Sequence, residues 1–323
     1  MTEMQKTMAL FSGSVYPALA EEIAKNVGCE LGNIKLEKFA NGEIYARYLE
    51  SIRGCDVFLI QSVAGAHIND ALMELLIMAD AAKRASARTV TAVVTHYGYA
   101  RQDRKAAARE PITAKLVADL MTAAGIQRVM TIDLHQNQIQ GFFNFPVDHL
   151  TGLPILVDYF KAKGLEKEDV CIVSPDVGRA KAAKKFCDMM DADLAIMHKG
   201  RPGHNKAEIT ALIGDVKDKI CIINDDMIDT AGTIVAAAET LKAKGAKEIY
   251  ICCTHPVLSG PAFERLENAP VKEVVCCNTI PVPPEKQTGK IKLVSVAPLF
   301  ARAINNVYNN GSVSTLFDPD FAL

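Results

Sequence analysis

Short apolar runs alternate with amphipathic helical patterns along most of the chain. The predicted strands are Met8–Phe11, Val57–Gln61, Val90–Thr95, Val129–Asp133, Val170–Ser174, Leu194–Met197, Ile220–Asn224, Ile249–Thr254, Val274–Asn278 and Leu293–Val296. The predicted helices are Tyr16–Val27, Asp70–Ala85, Thr113–Ala123, Ala180–Met190 and Gly232–Lys244. Strands that alternate with helices are typical of parallel sheets, because parallel neighbours need a long crossover connection. The pattern therefore predicts an α/β protein with mainly parallel sheets.

Predicted strands alternate with predicted helices in both halves of the chain. A length of 323 residues suggests about two domains. In both halves polar residues follow the strand ends, which is the edge where open α/β sheets bind ligands. We predict one domain over residues 1–150 and a second over residues 151–323, with the boundary near Leu150–Pro154.

The most informative polar stretch runs from Asp225 to Thr233, between a predicted strand and a predicted helix. Small residues at a helix start present backbone N–H groups and the helix dipole to an anion, and Thr230 and Thr233 can add hydroxyl donors. The carboxylates would repel a bare phosphate, but they suit sugar hydroxyls or Mg²⁺. The stretch therefore indicates a site for a sugar phosphate. The alternative is an acidic strand end with an ordinary helix N-cap, which needs fewer carboxylates than this stretch has.

The segment Tyr97–Lys105 follows the predicted strand Val90–Thr95 and contains three cations and two tyrosines. Arginine can chelate phosphate oxygens with two parallel hydrogen bonds, and aromatic rings can stack on a base, so the segment suits a nucleotide polyphosphate. The alternative is a solvated charged loop, as most charge runs are.

Three further features favour a structural interpretation when each is taken alone. His135 lies just after a strand end and would be a hydrogen-bonded structural histidine or a ligand of metal or phosphate. Asp176 would be a helix cap or a metal ligand. The segment His198–Lys206 has two glycines and a proline and would be a mobile connection. Its Lys199 and Arg201 could close over phosphates, or the segment could be only a flexible hairpin.

Composition narrows the class of protein. The chain is 49% hydrophobic and 23% charged, as in a soluble globular protein. Its net charge of −2 gives no indication of a nucleic-acid partner. Its nine cysteines lack Cys-x-x-Cys spacing, which predicts buried thiols in a reducing compartment. No apolar run is long enough for a membrane span and the N-terminus has no signal-peptide core, so we expect no membrane association and a cytoplasmic location.

Together these segments resemble the ribose-phosphate diphosphokinase family, the synthases of phosphoribosyl diphosphate. The resemblance extends from Phe11-Ser12-Gly13 to Ser312-Val313-Ser314-Thr315-Leu316-Phe317. Its most specific pieces are Tyr99-Ala100-Arg101-Gln102-Asp103, Arg109-Glu110-Pro111-Ile112-Thr113-Ala114-Lys115-Leu116, Gln138-Ile139-Gln140-Gly141-Phe142-Phe143 and Cys253-Thr254-His255-Pro256-Val257-Leu258-Ser259-Gly260.

The resemblance implies two tandem phosphoribosyltransferase-like domains, with ATP bound on the N-terminal side and ribose 5-phosphate on the C-terminal side. It implies an Mg²⁺-dependent transfer of the diphosphoryl group of ATP to the anomeric hydroxyl of ribose 5-phosphate. The products would be AMP and 5-phosphoribosyl 1-diphosphate for nucleotide biosynthesis. It further implies activation by phosphate, regulation by ADP, and hexamers built from dimers.

The resemblance also assigns roles to residues. Lys199 and Arg201 would be the catalytic cations. ATP would contact Phe39, Asn41, Gly42, Glu43, Arg101, Gln102 and Asp103. Ribose 5-phosphate would contact Asp225, Asp226, Asp229, Thr230, Ala231, Gly232 and Thr233. Mg²⁺ would be associated with His135 and Asp176. The effectors would bind Arg53, Ser86, Arg88, Ser312 and Ser314.

The chain departs from the family pattern at Arg179, Gln136 and Gly200, where the family often has Gly, Ala and Arg. These departures bear on nucleotide contacts and loop flexibility and leave the reaction class unchanged. One alternative is a phosphoribosyltransferase, which would share Asp225–Thr233 but would not need the cationic segments or a second full domain. Another is a catalytically silent regulatory subunit of the same fold, against which the intact Lys199 and Arg201 argue.

Overall fold

The computed structural model describes residues 7–65, 67–165, 169–200, 208–287 and 289–317, with the backbone alone at 199, 200, 208–210, 315 and 317. The chain divides into two compact units. The first combines the residues up to Thr151 with those from Val296 onwards, and the second is Gly152–Ser295. Both units are α/β, and nearly all of the strand pairing within their main sheets is parallel.

A five-stranded parallel sheet forms the centre of the first unit. Its strands are β1 (Met8–Ser12), β4 (Asp56–Ser62), β5 (Thr89–His96), β6 (Arg128–Ile132) and β7 (Val147–Leu150), in the order β1-β4-β5-β6-β7. Every residue of β4 is buried. Strands covered on both faces need apolar residues at successive positions, which explains why apolar runs revealed the central strands.

A separate antiparallel hairpin in the first unit joins β2 (Ile34–Lys38) to β3 (Ile44–Tyr48). These two strands were not predicted, because both are half exposed and neither forms an apolar run. The helices of the first unit are α1 (Pro17–Val27), α2 (Ile68–Arg84), α3 (Thr113–Ala124) and α8 (Ala297–Tyr308).

The C-terminal helix α8 packs against α1, which places the last part of the chain in the first unit. Its buried face includes Leu299, Phe300 and Ile304. This grouping differs from the predicted second domain, residues 151–323, at its C-terminal end. The prediction assumed that each domain is one continuous segment, and the apolar face of a helix does not reveal which core it covers.

A seven-stranded sheet forms the centre of the second unit, in the order β10-β9-β8-β11-β12-β13-β14. The strands are β8 (Val170–Ser174), β9 (Asp193–Gly200), β10 (Glu208–Ile213), β11 (Ile220–Ile228), β12 (Glu248–Pro256), β13 (Glu273–Cys277) and β14 (Ile291–Val294). Only the edge strand β10 is antiparallel to its neighbour. The helices are α4 (Leu153–Ala162), α5 (Ala180–Met190), α6 (Gly232–Ala243) and α7 (Ala262–Asn268).

The predicted state of the cysteines is confirmed. All nine are free thiols, and only Cys29 is partly exposed. Several lie in the strands of the second unit, where Cys253 and Cys276 face each other across β12 and β13 with their sulfurs 3.5 Å apart. Within the described ranges, no helix is both long and apolar enough to cross a membrane.

Candidate active site

The acidic stretch of the second unit begins inside a strand. Strand β11 continues to Ile228, beyond its predicted end at Asn224, because its pairing with β12 extends through Asp225 opposite Cys253 and Met227 opposite His255. Asp225 and Asp226 therefore lie in the strand, and the prediction that they lie in the loop was wrong. The two carboxylates are adjacent in the strand, and their side chains interact directly.

Both carboxylates are largely buried, and burial changes the pKa of Asp225. The Asp226 residue is 3% exposed and the Asp225 side chain 20% exposed, and the Asp226 N–H donates to Asp225 Oδ1 over 2.9 Å. Burial, followed by the neighbouring Asp226 carboxylate, raises the pKa of Asp225 to about 8, and Arg179 opposes that rise. A hydroxyl donor or a cation placed at Asp225 would stabilise its ionised form.

The loop after β11 leads directly into the N-terminus of α6. Ala231 has a left-handed backbone with φ 60°, and α6 begins at Gly232. Its N-cap residue is Ala231, which provides no side-chain cap hydrogen bond. An alanine at the N-cap cannot accept a hydrogen bond through its side chain, so this helix start lacks the ordinary Ser, Thr, Asp or Asn N-cap and favours an anion site.

Two neighbours that the sequence did not suggest hold this loop in place. The Ser259 N–H donates to the Asp229 carbonyl over 3.0 Å, and Arg265 Nη1 donates to the Thr230 carbonyl over 2.8 Å. A Cβ at Gly232 would lie 3.2 Å from Arg265 Nη1, so the glycine allows this close approach. Arg265 lies on the short helix α7, and only the fold shows that this helix reaches the loop.

Asp176 follows β8, the strand next to β11. Its Oδ1 accepts a hydrogen bond from the Arg179 N–H over 3.1 Å and so caps a short 3-10 turn. The Arg179 side chain extends to the acidic strand, where its Nε lies 3.6 Å from Asp225 Oδ1. The capping interpretation of Asp176 is thus correct, and the turn also positions a cation that the sequence analysis noted only as a departure.

The two predicted metal-associated residues belong to different units. His135 is half buried after β6 in the first unit, where the preceding Leu134 N–H donates to His149 Nε2 over 2.9 Å. Asp176 is in the second unit. Across the described part of the chain, no three His, Cys, Asp or Glu side chains converge on a metal position. Mg²⁺ usually binds one or two carboxylates plus substrate phosphates, and Asp176 fits that mode.

The predicted catalytic cations lie at the edge of what the structure describes. Lys199 is near the end of β9, but its side chain is outside the described part of the chain. Arg201 lies outside it altogether.

In the first unit, the predicted adenine-binding residues form the turn of the β2–β3 hairpin. Phe39 N–H donates to the Glu43 carbonyl over 2.9 Å, and the Glu43 N–H donates to Asn41 Oδ1 over 3.2 Å. Gly42 has φ 90°, which favours glycine. Phe39 is 54% exposed, although it is a large apolar residue. The turn therefore fixes the backbone and leaves an aromatic ring accessible for stacking.

The other predicted ATP-binding residues, Arg101, Gln102 and Asp103, are in the connection between β5 and α3. Gln102 is anchored at the start of α3, since its carbonyl accepts from the Ala114 N–H over 3.1 Å and its Oε1 accepts from Thr113 Oγ1 over 2.6 Å. Arg101 is exposed beside it. This connection presents a cation from a fixed point of the backbone.

One tyrosine of this connection cannot stack on a base. Tyr97 is 2% exposed, donates its hydroxyl hydrogen to the Ala114 carbonyl over 2.9 Å, and packs edge-on against Phe143. Burial raises its pKa. The interpretation of Tyr97 as a nucleotide contact was wrong, because the continuous burial of β5 extends through it.

The predicted effector residues all belong to the first unit. Arg53 Nη1 donates to Ser86 Oγ over 3.3 Å, and Ser312 Oγ lies 2.6 Å from Ser314 Oγ. The Arg88 guanidinium pairs with the buried Asp56 carboxylate, and this hydrogen bond raises the pKa of Arg88. Arg88 therefore already has a structural role.

Comparisons with known proteins identify the family of this chain. Residues 8–125 match the model of the N-terminal domain of ribose phosphate pyrophosphokinase, and residues 199–318 match the phosphoribosyl synthetase-associated domain. A ribose-phosphate pyrophosphokinase of Clostridium perfringens is 55% identical over 98% of this chain and 99% of its own length. The chain belongs to the ribose-phosphate pyrophosphokinase family. The family that the sequence motifs indicated is thereby confirmed.

Other members of the ribose-phosphate pyrophosphokinase family match equally fully. One from Caldanaerobacter subterraneus subsp. tengcongensis is 56% identical over 98% of this chain and 100% of its own length. A crystal structure of phosphoribosylpyrophosphate synthetase from Mycobacterium smegmatis is 45% identical, covers 95% of this chain and 100% of its own, and superposes with a TM-score of 0.89. This similarity confirms the predicted fold class.

Proposed function

We propose that this chain transfers the diphosphoryl group of ATP to the anomeric hydroxyl of ribose 5-phosphate, giving AMP and 5-phosphoribosyl 1-diphosphate. The observation that carries this proposal is 55% identity, across 98% of the chain, to a protein named ribose-phosphate pyrophosphokinase. The presence of both cationic segments and of the acidic strand end supports an active enzyme rather than a silent subunit.

The sugar phosphate is the acceptor and binds to the second unit. The start of α6, with Asp229–Thr233, would receive the 5-phosphate through backbone N–H groups. Asp225 and Asp226 precede this loop in the same strand, and their oxygens would accept hydrogen bonds from sugar hydroxyls. One segment would thus hold both ends of ribose 5-phosphate.

The nucleotide binds to the first unit. The exposed Phe39 ring would stack on adenine, while Asn41, Gly42 and Glu43 shape the turn that carries it. Arg101 and Gln102, with Asp103 beside them, would hold the phosphates, and the anchoring of Gln102 at α3 would limit the entropy lost on binding.

The acceptor hydroxyl is itself the nucleophile, so no covalent enzyme intermediate is required. Phosphoryl-type transfer is promoted mainly by alignment and by stabilisation of charge on the transferred group. Lys199 and Arg201 would neutralise charge that develops on the triphosphate. Mg²⁺ held by Asp176 in the second unit, or associated with His135 in the first, would supply further charge neutralisation on the ATP phosphates.

We extend the proposal to regulation and assembly. Phosphate would activate and ADP would inhibit through Arg53, Ser86, Arg88, Ser312 and Ser314, and the chain would form hexamers from dimers. Steady-state rates at varied phosphate and ADP, measured beside light scattering, test both statements. A monomer that is insensitive to both effectors would contradict them.

The experiment for the main proposal measures AMP released from ATP and ribose 5-phosphate by the purified chain with Mg²⁺. Stoichiometric AMP and phosphoribosyl diphosphate are the expected products. A phosphoribosyltransferase would instead consume phosphoribosyl diphosphate with a base and release no AMP. A folded chain that forms no product with either substrate set would identify a silent subunit.

A further inference from the structure

Arg179 connects two neighbouring strand ends of the second unit. Strands β8 and β11 are paired up to Val173 and Ile223, and each then continues into a polar segment. From the turn after β8, Arg179 binds Asp176 through its backbone N–H and approaches Asp225 of β11 through its guanidinium. Its side chain is 23% exposed, so this cation lies within the sugar-phosphate site rather than on the free surface.

The ion pair between Arg179 and Asp225 lacks a good hydrogen bond. The distance of 3.6 Å from Nε to Oδ1 permits an ion pair but exceeds a good hydrogen bond. Among the described residues, the buried Nε–H of Arg179 has no acceptor. A buried unpaired donor is costly, particularly on a charged group. A small rotation of the Asp225 carboxylate would supply the missing acceptor and turn the pair into a charge-assisted hydrogen bond.

Asp225 needs such a partner when it binds a sugar. A carboxylate accepts hydrogen bonds from hydroxyls well only when it is ionised and held in one orientation. Burial and Asp226 oppose its ionisation, and Arg179 is the cation that favours it. The family often has glycine at this position, so the family resemblance implies no role for an arginine here.

We propose that Arg179 is a positioning residue that orients the Asp225 carboxylate for the hydroxyls of the sugar phosphate. This inference rests on the proposed function, because it takes the acceptor to be ribose 5-phosphate. It makes affinity for the acceptor, and not for ATP, depend on Arg179.

A double-mutant cycle on the full chain tests whether Arg179 acts through Asp225. Calorimetry measures the Kd for ribose 5-phosphate in the wild type, Arg179→Gln, Asp225→Asn and the double variant. We expect Arg179→Gln to weaken binding roughly 10- to 100-fold, the range for a lost hydrogen bond to a charged group. We expect the same substitution to change binding less than about threefold when Asp225→Asn is already present. Effects that multiply, or no effect of Arg179→Gln, would overturn the proposal.

Kinetics provides a second measurement if Asp225→Asn abolishes binding altogether. We expect Arg179→Gln to raise KM for ribose 5-phosphate about tenfold or more and to leave KM for ATP within about twofold. An equal rise in both would indicate general damage to the site and would contradict a positioning role. Arg179→Lys keeps the charge without the Nε–H, and we expect an intermediate KM.

Controls separate folding and function from positioning. Lys184→Gln removes a cation from the exposed face of α5, where Lys184 pairs with Asp188, and we expect unchanged kinetics and binding. Thermal melting of each variant tests folding. Failure of the wild type to release AMP would refute the proposed function, whereas the binding cycle needs no turnover and would still decide the role of Arg179.

Discussion

The two substrate segments present charge in opposite ways. On the nucleotide side, Arg101 and Phe39 are exposed and project from turns whose backbones are fixed by local hydrogen bonds. On the sugar side, Asp225 and Asp226 are largely buried in a strand, and the following loop is held by groups distant in sequence. Exposed charges interact weakly with the fold, whereas buried ones are coupled to it. Substitutions on the nucleotide side should therefore change binding alone, and those on the sugar side should also change stability and pH dependence.

The largest effect is expected from the proposed catalytic cations, which belong to neither segment. Lys199→Ala should lower turnover on the order of 10²–10³-fold, by analogy with the loss of one transition-state donor, with smaller changes in both KM values. Initial rates of AMP formation measure this. Lys217→Ala removes an exposed lysine from the same unit and should have no effect. A folded Lys199→Ala variant with near-normal turnover would exclude the catalytic role.

On the nucleotide side, Arg101→Ala should raise KM for ATP roughly 10- to 100-fold, because a hydrogen bond between charged groups is lost. KM for ribose 5-phosphate and the thermal midpoint should stay the same, since Arg101 is exposed. Arg84→Ala is the matched control, because Arg84 is an exposed arginine of the same unit that pairs with Asp80. A large fall in melting temperature for Arg101→Ala would contradict the expectation that substitutions on the nucleotide side change binding alone.

On the sugar side, the pH dependence of stability tests the burial of Asp225. Its pKa is raised from 3.8 to about 8 in the folded chain, so the unfolded chain ionises first as pH rises. The free energy of unfolding is therefore highest, as far as Asp225 is concerned, below about pH 4, where Asp225 is protonated in both states. It falls as pH rises to about 8, because the carboxyl of the unfolded chain then ionises while the buried one stays protonated. Asp225→Asn removes this loss, so its stability relative to wild type should grow by at most about 1.4 kcal/mol per pH unit in that window.

Urea unfolding at pH 5 and pH 9, with EDTA in the buffer, measures the Asp225 effect as a difference between the variant and wild type. Other groups titrate equally in both proteins and cancel. A difference that is the same at both pH values would show that Asp225 is ionised throughout and that its burial has little electrostatic consequence.

The smallest effect is expected at the support of the phosphate loop. Arg265→Gln removes the hydrogen bond to the Thr230 carbonyl, and because Arg265 is exposed, the expected rise in KM for ribose 5-phosphate is about 2- to 10-fold. KM for ATP should not change. Lys242→Gln on the exposed face of α6 serves as control. An unchanged KM for both substrates in Arg265→Gln would mean that backbone contacts such as Ser259 to Asp229 suffice to hold the loop.

Sequence reasoning located the central strands of both units, three of the four α-helices described in the first unit and two of the four described in the second. Strands such as β4 and β8 are buried on both faces, so each is a continuous apolar run. The hairpin strands β2 and β3 escaped prediction because they are short and half exposed. The end of β11 was placed too early, since carboxylates in a strand look like a loop until the pairing with β12 is known.

In the candidate site, too, some features could be predicted from the sequence and others depend on tertiary contacts. Residue type and position after a strand end led to the prediction of phosphate chemistry at Arg101 and sugar chemistry at Asp225, and both stay predictions. Tyr97 was misinterpreted, because exposure of a ring depends on the packing of Phe143 and Ala114 around it. Arg265 was missed, because nothing in its local sequence shows that α7 approaches the phosphate loop.

The sequence by itself determined the α/β class and the family, and it predicted the chemical types of the two proposed substrate segments. These follow from local patterns: apolar runs that must be buried, and polar residues placed just after them. Only the tertiary structure decided that α8 joins the first unit, that Asp225 lies in a strand, and that Arg179 approaches it. Each of these depends on contacts between residues far apart in sequence, and the free energy of such contacts is fixed only when the strands take their order in the sheet.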